Sequence, residues 1–148
     1  MIKLSKLIFI VILALIVSAC ASAPGQKFTG LAEPVVDQGD IYIYRTSALF
    51  AVAQPFEVSL DGKQVGNLYN ASYLHLRLPE GNYVLKVSPG FLAKTSDIQV
   101  HLMPGKQAFF EYDFQTGLLA NGFFLGSTIE PRDQEKALND LKELKSST

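Results

Sequence analysis

Cysteine is almost absent: position 20 holds the one copy in 148 residues. A lone thiol excludes an intrachain disulfide framework and any zinc site built on several cysteines. Histidine is scarce, with His75 and His101 the two copies, so a His-rich metal or catalytic centre is not expected. Charge of one sign is also lacking. The chain has 13 Lys+Arg against 14 Asp+Glu, which argues against a nucleic-acid binder working through a basic face. Catalytic signatures are missing: there is no His-Glu-x-x-His pair and no Gly-x-Ser-x-Gly elbow. Gly117-x4-Gly122 lacks the Gly-Lys-Ser/Thr ending of a phosphate loop. The expectation is a protein that is not an enzyme and holds no metal or diffusible cofactor. Length leaves room for one domain.

What is present begins with a leader. Lys3 and Lys6 give a short positive segment, and Leu7 to Val17 is an unbroken apolar run of eleven residues. A bilayer-spanning helix needs about 20, so the run suits the core of a secretory signal peptide. Val17, Ser18 and Ala19 then precede Cys20. An aliphatic residue, two small residues and a cysteine resemble the lipobox of bacterial lipoproteins. Small side chains at 18 and 19 let a peptidase reach extended backbone at the membrane face. The resemblance implies a signal peptide over 1–19, a diacylglyceryl group on the Cys20 sulfur, and an N-acyl chain on the amine that cleavage exposes. Two or three acyl chains hold far more firmly than a single reversible one.

Losing residues 1–19 removes two lysines and leaves 11 basic against 14 acidic side chains. With no polybasic segment for anionic lipid, the membrane is reached through the lipid anchor. Residues 20–39 include Pro24, Gly25, Gly30, Pro34 and Gly39. They read as a flexible linker with an end-to-end span on the order of 25 Å, although Phe28 and Val35-Val36 offer apolar contacts to the domain. Ala21 is not aspartate; by resemblance to enteric-type sorting this implies the outer membrane, facing the periplasm.

Residues 40–148 read as a small antiparallel β-sandwich of about seven strands with one C-terminal α-helix. Asp40 to Arg45 is rich in β-branched and aromatic residues. Phe56 to Leu60 alternates and is followed by Asp61-Gly62, the signal for a type I′ hairpin. That turn pairs Leu60 with Lys63 and Val58 with Val65. A second hairpin is expected across Pro79–Asn82, setting Leu76 against Leu85 and Leu74 against Val87. A third is expected across Met103–Gln107, pairing Val100 with Phe110 and leaving Phe109, Glu111 and Asp113 on the outer face. Phe123-Phe124-Leu125 suggests a short last strand. Residues 131–145 lack glycine and place Ala137, Leu138, Leu141 and Leu144 on one face, which predicts a helix opening at Pro131.

Several of these segments carry a resemblance. Ile41–Arg45, Leu60-Asp61-Gly62-Lys63 with Gly66, and Leu78-Pro79-Glu80-Gly81-Asn82-Tyr83 resemble a family of bacterial lipoproteins with a domain of unknown function behind a lipobox. The middle is similar to PEGA-type surface β-sandwich modules, with Asn82 where that signature has alanine. The resemblance covers about 40–115. It implies an interaction or envelope scaffold and assigns no catalytic residue.

His75 and His101 read as solvated strand histidines. Glu111 and Asp113 read as solubilising charges on one strand face. The least ordinary feature is aromatic. Phe109, Phe110, Tyr112, Phe114, Phe123 and Phe124 crowd into sixteen residues. Phe109 with Phe123 or Phe124 is the candidate partner surface, unless the C-terminal helix covers it. The expected function is a lipid-anchored envelope lipoprotein whose sandwich is a non-enzymatic interaction or scaffold module with an envelope protein partner. The other reading is a binder of a small apolar or glycan ligand in a sheet–helix cleft.

Overall fold

The computed structural model describes residues 22–49, 51–119 and 122–148, without the side chains of 118, 119 and 122–124. The expected signal peptide, its expected cleavage residues Val17, Ser18 and Ala19, and Cys20 lie outside the described residues. Among the described residues, nine strands form two packed sheets, with one short helix near the C-terminus. They are β1 (Gln38–Arg45), β2 (Phe56–Leu60), β3 (Lys63–Leu68), β4 (Ser72–Pro79) and β5 (Gly81–Ser88). Then come β6 (Ser96–Leu102), β7 (Gln107–Leu119), β8 (Gly122–Arg132), helix α1 (Gln134–Leu141) and β9 (Lys145–Ser146). One sheet has the order β8-β7-β1-β4-β9 and the other β3-β2-β5-β6. The mainly β fold with a C-terminal helix is as expected. The first sheet is mixed rather than purely antiparallel, because β1 pairs parallel with β7 and β4 parallel with β9.

The Asp61-Gly62 turn forms as its chemistry demands. Both residues have positive φ, 49° and 80°, as a type I′ turn requires. Leu60 pairs with Lys63. A bulge after Val58 then sets Val58 against Gly66, so Val65 is not its partner.

The second and third expected hairpins do not exist. β4 pairs with β1, while β5 pairs with β2 and β6. Only Glu80 separates them, and the chain changes sheet there. β6 and β7 likewise belong to opposite sheets. The alternation of Leu74, Leu76, Leu85 and Val87 was legible, but it fixes only which face each residue uses. These residues meet across the sandwich rather than side by side. They share one core with Ile41, Ile43, Phe56, Val58, Leu68, Val100, Leu102, Phe110 and Tyr112.

Strand β1 is buried on both faces. Ile41 and Ile43 point into the sandwich, while Tyr42 and Tyr44 face a second core with Phe28, Phe109, Ala137, Leu141 and Leu144. Helix α1 supplies part of that core. It begins later than expected, because Pro131 and Arg132 still belong to β8. Proline is tolerated there since β8 is an edge strand. Asp133 is the N-cap and accepts the Lys136 backbone N–H at 2.8 Å. The helix ends at Leu141, so Lys142 caps it and Lys145 joins β9.

Residues 22–37 are not a free linker. Gly25 N–H donates to Ser146 O at 3.0 Å, Phe28 N–H to Leu144 O at 3.0 Å, and Ser146 N–H to Gln26 O at 2.8 Å. Phe28 is buried, meeting Tyr73 edge-on at 5.4 Å. The segment forms a strap across the outer face of the five-stranded sheet. Val36 stays 83% exposed, so the expected Val35-Val36 contact is not what holds it.

Candidate functional site

The strap covers a row of side chains set by strand register. Tyr42 is the direct neighbour of Phe109 on β7 and of His75 on β4. Its ring stacks on both, at 5.5 Å and 4.5 Å between centroids. One row along, Asp40 lies opposite Arg77. The Asp40 carboxylate is 2% exposed and meets His75 Nε2 at 2.7 Å and Arg77 Nε at 2.8 Å. Burial by itself pushes this carboxyl up, but hydrogen bonds from Arg77 and His75 outweigh it and hold it below the usual range.

The same groups reach the strap. Arg77 donates to Glu33 O at 2.6 Å, and Ala32 N–H donates to Tyr42 Oη at 2.8 Å. Gln107 Nε2 donates to Ala32 O at 3.0 Å. An Asp–His pair is part of many acid–base relays. Here the imidazole is stacked on Tyr42 and the carboxylate is shared with an arginine, so the arrangement ties a peptide segment to a sheet.

A second polar seam fastens the helix. Tyr44 Oη donates to Asp140 Oδ2 at 3.0 Å, and Lys136 Nζ meets that oxygen at 2.9 Å and Glu111 Oε2 at 3.2 Å. Arg132 Nε reaches Glu111 Oε2 at 2.7 Å. Burial and the Asp140 carboxylate push the Tyr44 phenol far above its ordinary value.

Arg45, the last residue of β1, is 2% exposed. Its guanidinium lies 4.2 Å over the Phe56 ring and donates to Gln54 O at 3.1 Å and Ala51 O at 2.9 Å. It thereby holds the loop between β1 and β2. On the other sheet, Asn82, Tyr83, Val84, Gln99, Val100 and His101 line an open depression of about 460 Å³. No group of three or more metal-ligating side chains occurs among the described residues.

The aromatic candidates fare differently from expectation. Phe109 does lie on the outer sheet face, but it is 5% exposed. The strap and helix seal it beside Leu141 and Leu144, so it is a core residue and not a partner surface. Phe123 and Phe124 fall in β8, and their side chains lie outside the described residues. His75 is not a freely solvated histidine, whereas His101 is exposed and bonded to Asn82 Oδ1 at 2.8 Å. Glu111 is ion-paired under the helix, while Asp113 is exposed. The described helix–sheet interface is filled by Ala137 and Leu141, both 0% exposed, so the expected ligand cleft does not lie there. Sequence reasoning missed Asp40 and Arg45. The signal was available: both are charged residues that bracket the apolar and aromatic run Ile41–Tyr44.

A two-sheet β-sandwich with a strapped outer face is the class of protein that this architecture defines. The family model described as "Protein of unknown function (DUF2846)" matches residues 35–127, and the chain belongs to that family. The match spans β1 to most of β8; the front of the strap, α1 and β9 fall outside it. No curated protein matches the chain.

Proposed function

We propose that the mature chain is a lipid-anchored protein of the bacterial envelope, acylated on Cys20 and sorted to the outer membrane facing the periplasm. The single observation that carries the reading is the lone cysteine, placed directly after Val17-Ser18-Ala19 and an eleven-residue apolar run. No described helix is long and apolar enough to cross a membrane; the acyl chains supply the attachment. The sandwich then serves as a non-enzymatic interaction or scaffold module, as its likeness to PEGA-type modules at Pro79-Glu80-Gly81 implies. Support comes from the polar clusters: Asp40, His75 and Arg77 hold the strap, and Glu111, Lys136 and Asp140 hold the helix. The open face for an envelope protein partner is the outer side of the four-stranded sheet, where Glu57, Val84, Asp97, Gln99 and His101 are exposed.

Substitution Cys20→Ser tests the anchor. Incorporation of labelled palmitate is expected to vanish, with the chain left as precursor or released from the membrane fraction. Labelling that persists in the variant refutes the reading. Crosslinking in the native envelope, followed by identification of the captured protein, tests the scaffold role; capture that is unchanged when Gln99 and His101 are replaced by Asp would exclude this face.

A further inference from the structure

The two ends of the sandwich differ in chemistry. β1 ends at Arg45, and strand pairing places the start of β4 and the continuation of β7 at that same end. Arg45 stacks on Phe56, which begins β2. The antiparallel partners then bring the end of β5 and the start of β6 to this pole. Its connections are residues 46–55, 69–71 and 89–95, together with the far part of the β7–β8 hairpin; at its flank the turn 142–144 leads from α1 into β9, whose Lys145 lies opposite Ser72. Across 46–55, 69–71 and 89–95, and from Gln115 to Ile129 in the hairpin, Lys94 is the one charged residue, while Lys142, Glu143 and Lys145 stand at the flank. Leu49 is 101% exposed, Phe91 91% and Val52 38%. The opposite pole also exposes Val35, Val36 and Met103, but it sets them among Asp37, Asp61, Glu80 and Lys106 in its turns.

The chain enters at the apolar pole. Ser22 forms a bridge with Asn70, in the connection between β3 and β4. The Asn70 side chain also accepts the Ala48 backbone N–H at 3.0 Å, beside Leu49. Ala21 alone separates Ser22 from Cys20, a reach of roughly 7 Å. Acyl chains on Cys20 would therefore enter the bilayer next to these loops.

We propose that this pole docks on the lipid surface, with Leu49, Val52 and Phe91 seated in the headgroup–acyl boundary and Lys94 among the phosphates. The proposal rests on acylation of Cys20. Exposed leucine and phenylalanine are the side chains that partition into such a boundary. A tether this short makes docking effectively intramolecular, so weak affinity suffices. The occupant is lipid rather than protein because the pole faces the membrane that holds the anchor. The outcome is a fixed orientation: the four-stranded sheet stands upright and the charged pole points into the periplasm.

The chain has no tryptophan, so a single introduced indole reports alone. Acylated full-length mature protein carrying Phe91→Trp, Leu49→Trp or Val36→Trp is purified from membranes. It is reconstituted in phosphatidylethanolamine–phosphatidylglycerol vesicles with brominated acyl chains. Circular dichroism verifies folding, and the mass of the N-terminal peptide reads acylation in the same sample. The expected result is blue-shifted and strongly quenched emission from positions 91 and 49, with position 36 unchanged. Acylated protein in which positions 91 and 49 are quenched no more than position 36 overturns the docking and leaves the anchor standing. An unmodified Cys20 overturns the anchor, and the docking with it.

Discussion

Replacing Phe109 by alanine separates a core residue from a binding surface. The side chain is 5% exposed, stacked on Tyr42 and enclosed by Leu141 and Leu144. Truncating a buried phenylalanine costs about 3–5 kcal/mol, and the lost ring pair falls within that figure. Ala137 and Leu141 belong to a helix of only eight residues, so the hole can close only in part. Domain stability is on the order of 5–15 kcal/mol. At about 4 °C per kcal/mol for a chain of this size, Phe109→Ala should lower Tm by roughly 12–20 °C. Phe91→Ala, at an exposed position, should stay within about 0.5 kcal/mol of wild type. Thermal denaturation followed by circular dichroism measures both. Equal Tm values for the two variants would refute the placement of Phe109 under the strap and helix. Loss of a captured partner in Phe109→Ala must then be read against this destabilisation, not as loss of a contact.

Three further outcomes follow from the buried polar groups. Asp40 titrates below its unfolded value near 3.9, so its contribution is complete above that pH and is lost as pH falls through the folded value. Asp40→Asn should cost about 2 kcal/mol at neutral pH and flatten the acid limb of a stability–pH curve measured by urea titration. Burial raises the phenols of Tyr44, Tyr42 and Tyr112. They keep their protons in the fold while the unfolded chain releases its own, so stability should fall above pH of about 10, by up to roughly 1.4 kcal/mol per pH unit for each. A flat alkaline limb in the same urea titrations would show that these rings are not sealed. Arg45→Lys should destabilise by about 1–3 kcal/mol, because one ammonium cannot reproduce the two carbonyl contacts and the stacking on Phe56. It should also speed proteolysis in residues 46–55.

Local chemistry was legible wherever a few neighbouring residues decide the outcome. The Asp61-Gly62 turn, the inward faces of Leu74 and Val87, and the apolar stripe of Ala137 and Leu141 could all be read along the chain. Turn geometry and the two-residue period of a strand are properties of adjacent residues. Which strands become neighbours is not such a property. The same alternation serves β4 and β5 whether they pair in one sheet or face each other across two, and only the assembled sandwich selects the second. The cover over Phe109 comes from residues 22–37 and 134–144, far from it in sequence. The candidate surface therefore became a core when those segments were docked. The sequence alone determined a β-rich domain behind an eleven-residue apolar run and a single cysteine. Tertiary structure decided which aromatic face is sealed and at which pole the chain enters, because both depend on contacts between segments that no local pattern brings together.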